Sequence, residues 1–103
     1  MIGLFVRFDI RDEPAARRFD ELTVAAVAEI SALEPGTLVY ATHRVDAAPL
    51  ARVFYEVYAD EAAFHAHEEA PHVKEFHRKK DPLLDREPRV EFFRPGPAKG
   101  LPL

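Results

Sequence analysis

The sequence predicts an α+β fold of the ferredoxin-like type, an antiparallel sheet with helices on one of its faces. Two observations predict it. Segments with the period of a strand and segments with the period of an amphipathic helix follow one another in the order β-α-β-β-α-β, and no internal repeat is visible. The chain has 103 residues, nearly half of them apolar, which suits one domain with one modest core.

The first strand and the first helix have clear periodicities. Residues 2–10 (IGLFVRFDI) alternate polar Arg7 and Asp9 with apolar neighbours, which predicts a half-buried strand. We expect a helix of about five turns over residues 14–33. Its apolar stripe recurs at steps of three and four residues: Phe19, Leu22, Ala26, Ile30 and Leu33.

Two further strands follow a turn that contains proline and glycine. Glu34-Pro35-Gly36 ends the helix, and residues 37–45 (TLVYATHRV) have the composition of a strand. Residues 46–50 are expected to form a short connection to a third strand over residues 51–58. A short connection of this kind predicts that the two strands are antiparallel neighbours.

The second helical region is interrupted by a proline. Asp60 is a good N-cap for a helix over residues 61–69, and Pro71 disfavours helical geometry at the residue before it. The chain then restarts as a helix over residues 72–80. Residues 88–94 (PRVEFFR) form the last predicted strand.

Composition excludes several classes of function. The chain has no cysteine, which excludes disulfides and metal centres with cysteine ligands and fits a reducing compartment. Its net charge is −4, and its one basic cluster, at residues 74–80, predicts a solvated helix face. No apolar run has the length of a membrane span. We therefore expect a cytoplasmic protein with neither nucleic acid nor membrane as a partner.

One apolar face of the predicted sheet is not covered by the helices of the same chain. The second and third strands are substantially apolar on both of their faces, but one layer of helices covers only one face. We therefore expect a homodimer in which two sheets pack face to face. The predicted domain covers residues 1–94, and residues 95–103 form a Pro/Gly-rich C-terminal tail.

Glu56 is the first candidate for a catalytic residue. It shares a strand face with Phe54 and Tyr58, and a carboxylate among aromatic residues needs either a partner or a raised pKa. It could serve as a general base or could hold a histidine. The alternative is a structural ion pair with an arginine such as Arg44.

His67 is the second candidate, since it lies three residues after Phe64 on the inward side of its predicted helix. A neutral imidazole in that position could take a proton from a phenol near neutral pH. The alternative is a core histidine bonded to backbone. His72 either fixes the helix break or lines the mouth of a pocket, and His65 and His77 are expected to be solvated.

Aromatic side chains complete the candidate site. Phe54, Tyr58, Phe64 and Phe76 belong to the core by default, but some of them could wall a pocket for a flat aromatic substrate. We expect no metal site, because no two histidines are spaced four residues apart on one helix face.

An ordered set of short motifs resembles the antibiotic biosynthesis monooxygenase family, also called the quinol monooxygenase-like family. The resemblance runs from Glu34 to Phe93, about two-thirds of the chain. Its pieces are Glu34-Pro35-Gly36, Tyr55-Glu56-x-Tyr58, Asp60-Glu61-Ala62-Ala63, Ala66-His67, and Ala70-Pro71-His72 followed by Phe76. Tyr58 stands where the family usually has tryptophan. The chain has no tryptophan and no asparagine in its first strand, which argues against the branch of the family that cleaves haem.

The resemblance implies a dimeric α+β barrel and a monooxygenase that uses molecular oxygen with no cofactor. Its substrate would be a small aromatic phenol or quinol, with His67, supported by Glu56, as the base. Phe54, Tyr58, Phe64, His72 and Phe76 would then bind the substrate. Two alternatives stay open. One is a non-oxidative isomerase, with Arg44 or Lys74 holding an anion, and the other is a non-catalytic ligand-binding dimer.

Overall fold

A computed structural model describes residues 1–101 of the chain as one antiparallel sheet with helices packed against it. The elements are β1 (Ile2–Asp9), α1 (Glu13–Leu33), β2 (Thr37–Val45), β3 (Ala48–Tyr58), α2 (Glu61–Glu69), α3 (Pro71–Lys80), a 3-10 turn (Asp81–Leu83) and β4 (Arg89–Phe93). The strands lie in the order β2-β3-β1-β4. The predicted ferredoxin-like order is therefore confirmed, with the second helical region divided into α2 and α3.

The connection between β2 and β3 is shorter than predicted. Only Asp46 and Ala47 lie between the strands, and Val45 pairs with Ala48. Ala48, Pro49 and Leu50, the last three residues of the expected connection, are extended and have hydrogen-bond partners. The carbonyl of Leu50 accepts from the backbone N–H of Ile10 at 2.8 Å. The expected loop over residues 46–50 was wrong, because these backbone contacts extend the strand through a proline.

The helix starts and the helix break have local causes. The side chain of Asp12 accepts from the backbone N–H of Ala15 at 2.9 Å, and that of Asp60 accepts from Ala63 at 2.8 Å. Each carboxylate satisfies a backbone donor that the first helical turn leaves unpaired. Between α2 and α3, Ala70 is extended (φ −65°, ψ 133°), as expected for a residue before proline.

The core lies between the helices and one face of the sheet. Alternate residues of β1 face the helices, where they meet a group of aromatic rings that includes Phe19, Phe54 and Phe76. The β1 members of this core are Ile2, Leu4, Val6 and Phe8. Leu83 and Leu84, which follow α3, pack against the same cluster.

The opposite face of the sheet carries a second aromatic group. The ring of Phe5 lies 5.3 Å from those of Tyr55 and Phe93, measured between centroids, and 47% of Phe5 is exposed. The Phe93 ring covers Gly3, where a Cβ atom would lie 2.4 Å from the ring. A larger residue at position 3 would therefore displace the Phe93 ring from this place on the sheet.

The predicted C-terminal tail, residues 95–103, is irregular as far as Leu101, and Pro102 and Leu103 lie outside the described residues. Among residues 1–101, no helix combines the length and the apolar character needed to cross a membrane.

Candidate active site

A cavity of about 290 Å³ lies between the helix-facing side of the sheet and the helices α2 and α3. This volume is at the small end of ligand pockets, which span roughly 300–1,000 Å³, and it suits a small ring compound. Its apolar walls are Leu4, Val6, Phe8, Phe64, Pro88, Val90 and Phe92. Its polar side chains are Tyr40, Glu56, His67, Glu68, His77 and Lys80.

Glu56 is buried in this cavity wall at the middle of the sheet. It pairs with Leu4 of β1 on one side and with Tyr40 of β2 on the other. The hydroxyl of Tyr58 donates to Glu56 Oε1 at 2.5 Å. Burial raises the pKa of Glu56 to about 7, although the hydrogen bond from Tyr58 acts in the opposite direction. Glu56 can therefore exchange a proton near neutral pH.

Tyr40 lies beside Glu56 and contributes a hydroxyl that stays protonated. Its ring is 5.7 Å from Phe54 and 5.6 Å from His67. Burial, and then the nearby carboxylate of Glu56, raise the pKa of Tyr40 well above its ordinary value. Tyr40 is therefore a hydrogen-bond donor at any physiological pH.

His67 is held by the carboxylate of Glu34, the C-cap residue of α1. Its Nδ1 lies 2.7 Å from Oε1 of Glu34, and both side chains are buried. An ionised carboxylate only accepts hydrogen bonds, so Nδ1 of His67 carries the proton and donates it. In the neutral imidazole, Nε2 then has the lone pair. This is the arrangement of a histidine base oriented by an acidic partner.

Glu34 is bonded to two histidines at once. Its Oε1 also accepts from the hydroxyl of Thr37 at 2.7 Å, and its Oε2 is bonded to Nε2 of His72. Burial opposes ionisation, but the hydrogen bonds from Thr37, His67 and His72 outweigh it and lower the pKa of Glu34. Glu34 thus joins α1 to both sides of the break at Pro71.

The partner of His67 differs from the one that the sequence suggested. We expected Glu56 to support His67, but Glu56 is bonded to Tyr58, and Glu34 takes the supporting role. The sequence showed Glu34 only as part of a turn, because its partners lie 33 and 38 residues further along the chain. The alternative ion pair of Glu56 with Arg44 is absent, since Arg44 pairs with Asp20 at 3.1 Å.

Of the other expected site residues, only some line this cavity. Phe64 lines the cavity together with Glu56 and His67. Phe54, Tyr58 and Phe76 are buried in the core and do not line the cavity. Tyr58 supports the site from behind, through its bond to Glu56 and through its ring, which lies 5.1 Å from that of His67. His72 and Phe76 border a separate groove between α1 and α3. The proposed substrate contacts of Phe54, His72 and Phe76 are therefore not supported by this cavity.

Three polar cavity residues lie in segments that we expected to be solvated or left unassigned. They are Glu68, His77 and Lys80. Lys80 is only 3% exposed, although it belongs to the basic cluster at the end of α3. One signal in the sequence could have found it. Val73, Phe76 and Lys80 recur at steps of three and four, which places Lys80 on the buried stripe of α3.

The histidines and carboxylates use each other as hydrogen-bond partners. His67 and His72 both contact the carboxylate of Glu34, and within residues 1–101 no group of three such side chains could hold a metal ion. The chemistry that these groups can perform is proton transfer next to an apolar cavity.

Comparison with known proteins identifies the family. The model of the family described as antibiotic biosynthesis monooxygenase matches residues 1–79. The chain belongs to the antibiotic biosynthesis monooxygenase family. The resemblance that its short motifs indicated is thereby confirmed, and the family is a monooxygenase-like one. No protein of curated function matches the chain.

Several solved structures have the same fold. A candidate antibiotic biosynthesis monooxygenase from Caulobacter crescentus CB15 is 25% identical, with a TM-score of 0.82 over 89% of this chain and 86% of the other. Another antibiotic biosynthesis monooxygenase of known structure is 21% identical, with a TM-score of 0.85 over 94% of this chain and all of the other. Rv0793 from Mycobacterium tuberculosis is 22% identical, with a TM-score of 0.84 over 94% and 96%.

Proposed function

We propose that this protein is a cofactor-independent monooxygenase that oxidises a small aromatic phenol or quinol with molecular oxygen. The observation that carries the proposal is the Glu34–His67 pair at the wall of an apolar cavity that also contains Glu56. Family membership supports the reaction class. The apolar walls support a flat, apolar ring as the substrate.

The first step of the proposed reaction is deprotonation. Nε2 of His67 takes the proton of a phenolic hydroxyl, and Glu34 stabilises the imidazolium that forms. Tyr40 is a hydrogen-bond donor at the same wall. The cavity walls exclude water and keep the resulting phenolate reactive.

The second step is oxidation by molecular oxygen. The phenolate gives one electron to O₂, and the phenoxyl radical and superoxide combine to form a peroxide on a ring carbon. The O–O bond then breaks while the hydrogen of that carbon passes as a proton to the departing oxygen, which leaves a carbonyl and releases hydroxide. One oxygen atom ends in the quinone product and the other in water. Glu56, whose pKa is about 7, can supply the proton that the departing oxygen needs.

We also propose that the active form is a homodimer joined through the open sheet face. Phe5, Tyr55 and Phe93 form an aromatic patch there, and nearly half of the Phe5 surface is accessible. An exposed apolar patch of this kind favours association with a second sheet.

Incorporation of labelled oxygen tests the proposed reaction. The protein is incubated with naphthols and hydroquinones under ¹⁸O₂ in the presence of a chelator, and the product is analysed by mass spectrometry. We expect one ¹⁸O atom per quinone and no turnover without oxygen. Unlabelled product, or an unchanged rate under nitrogen, would contradict a monooxygenase.

A non-oxidative isomerase is the second candidate, and Lys80 in the cavity wall is the observation that favours it. An isomerase would use the same base and would hold an anionic group with a cation. The residues first suggested for that cation, Arg44 and Lys74, pair instead with Asp20 and Glu69 outside the cavity. Turnover that continues under nitrogen would favour the isomerase.

A further inference from the structure

Lys80 is an ammonium group buried at one end of the cavity. Its side chain is almost inaccessible to solvent, and Nζ lies 5.2 Å from the centroid of the Phe8 ring. Removing a charge from water is unfavourable unless the charge is paired, so a buried lysine requires partners for its ammonium group. Contact with the Phe8 ring compensates for only a part of the hydration free energy that the ammonium loses on burial.

The ion pair that Lys80 makes with Asp81 compensates only weakly for the burial of its charge. Nζ donates to Oδ1 of Asp81 at 2.7 Å, but the Asp81 side chain is 64% exposed and stays partly hydrated. An ammonium has three N–H donors, and this bond uses one of them. Within residues 1–101 the other two donors have no hydrogen-bond partner, so they are left for a group in the cavity or for water.

Lys80 and the reacting groups lie at opposite ends of the cavity. Glu56 pairs with Leu4 of β1, whereas Lys80 lies over Phe8 of the same strand. Four residues along a strand correspond to about 13 Å. Between these ends the wall is apolar and includes Val6 and Val90. The cavity thus has a proton-accepting end, a hydrophobic middle and a cationic end.

Glu68 and His77 also line the cavity near Lys80, and the hydrogen bond from His77, helped by the positive charge of Lys80, lowers the pKa of Glu68. Nε2 of His77 lies 3.6 Å from Glu68, and both side chains are nearly half exposed. They are therefore solvated groups at the rim. Lys80 is the buried cation that faces the cavity in the part of the chain described.

We propose that the substrate is a hydroxylated aromatic acid, with its carboxylate bound by Lys80 and its hydroxyl at His67. A carboxylate can accept the unused donors of Nζ in charge-assisted hydrogen bonds. The apolar middle of the cavity then covers the rings. The placement of the hydroxyl rests on the proposed function, but the carboxylate subsite at Lys80 does not.

Binding of two matched probes under nitrogen tests the subsite without any turnover. The probes are 6-hydroxy-2-naphthoate and 2-naphthol, which share the ring and the hydroxyl and differ in the carboxylate. We expect the wild-type protein to bind the acid at least tenfold more tightly, as charge-assisted hydrogen bonds in a dry site predict. A wild-type protein that binds the acid no more tightly than the naphthol would overturn the proposal.

Variants separate the subsite from a merely structural lysine. Lys80→Met is expected to lose the preference for the acid while its affinity for 2-naphthol changes less than threefold, and Lys80→Arg is expected to keep the preference. Lys74→Met is the control, because Lys74 is exposed and pairs with Glu69. Retention of the preference in Lys80→Met would overturn the proposal.

Asp81→Asn is a second test that leaves the buried lysine in place. The negative charge of Asp81 repels a carboxylate bound at Nζ, so its neutralisation is expected to tighten acid binding severalfold. A purely structural ion pair predicts no gain. Unchanged or weaker binding of the acid by this exposed-residue variant would therefore count against the subsite.

Discussion

Glu34, the C-cap residue directly after α1, accepts a hydrogen bond from Nδ1 of His67 in α2 at 2.7 Å. The two residues are 33 positions apart in the chain, and the bond fixes both the tautomer and the direction of the imidazole. The proposed base is therefore set in place by the packing of two helices on one sheet.

Glu34→Gln is predicted to leave the imidazole of His67 without a single fixed tautomer. Glutamine can donate as well as accept, and it provides no charge to stabilise an imidazolium. We expect ¹⁵N NMR of His67 to change from a single tautomer to a mixture, and turnover to fall by roughly 10²-fold. Glu29→Gln, on the same helix, is the control. An unchanged tautomer in Glu34→Gln would contradict this role.

Glu56 is predicted to make the protein less stable as pH rises. Its folded-state pKa is raised to about 7 from an ordinary 4.5, so the folded state binds the proton more tightly than the unfolded state. This contribution to stability is complete below about pH 4.5 and is lost as pH rises through 7.

Glu56→Gln removes that dependence. Relative to wild type, we expect the variant to gain up to roughly 3 kcal/mol of unfolding free energy between pH 5 and pH 8. Urea unfolding at the two pH values measures the difference, with exposed Glu87→Gln as the control. A difference that does not vary with pH would show that Glu56 is ionised normally.

Tyr58→Phe is predicted to raise the pKa of Glu56 further. The hydroxyl of Tyr58 donates to Glu56 and favours its charged form, so its removal leaves burial unopposed by that bond. A ¹³C NMR titration of the glutamate carboxyls measures the change. Tyr55→Phe, on the open face, is expected to leave the titration unaltered, and a lowered pKa in Tyr58→Phe would refute the assignment.

Phe5→Lys is predicted to separate the proposed dimer. It places a charge in the aromatic patch of the open face, where burial of an unpaired ammonium is unfavourable. Sedimentation velocity is expected to show a dimer for the wild type and an 11.7 kDa monomer for the variant. Val24→Lys replaces an exposed apolar residue of α1 and should remain dimeric. A monomeric wild type would refute the dimer itself.

The order of elements could be predicted because it depends on local patterns. The stripe of α1, the cap at Asp60 and the break at Pro71 are encoded within a few residues. The start of β3 could not be predicted in this way. Pro49 disfavours a strand by its own propensity, whereas hydrogen bonds from the Arg52 side chain and from the distant Ile10 N–H hold that stretch extended.

The site was predictable in part. Glu56, Phe64 and His67 lie in one dense segment, and the structure brings them to one cavity. Glu34 was missed because its histidine partners come from two other helices, α2 and α3, which no local pattern reveals. Lys80 was missed because its charge suggested solvent, although its position on the stripe of α3 placed it inside.

Oxygen uptake by His67→Gln, compared with His65→Gln, tests the central claim most directly. Both variants remove an imidazole from α2, but His67 is the cavity residue bonded to Glu34, whereas His65 is exposed. On a phenol or quinol that the wild type oxidises, we predict a loss of at least roughly 10²-fold for His67→Gln and an unchanged rate for His65→Gln. Equal rates in wild type and His67→Gln would contradict the assignment of His67 as the base.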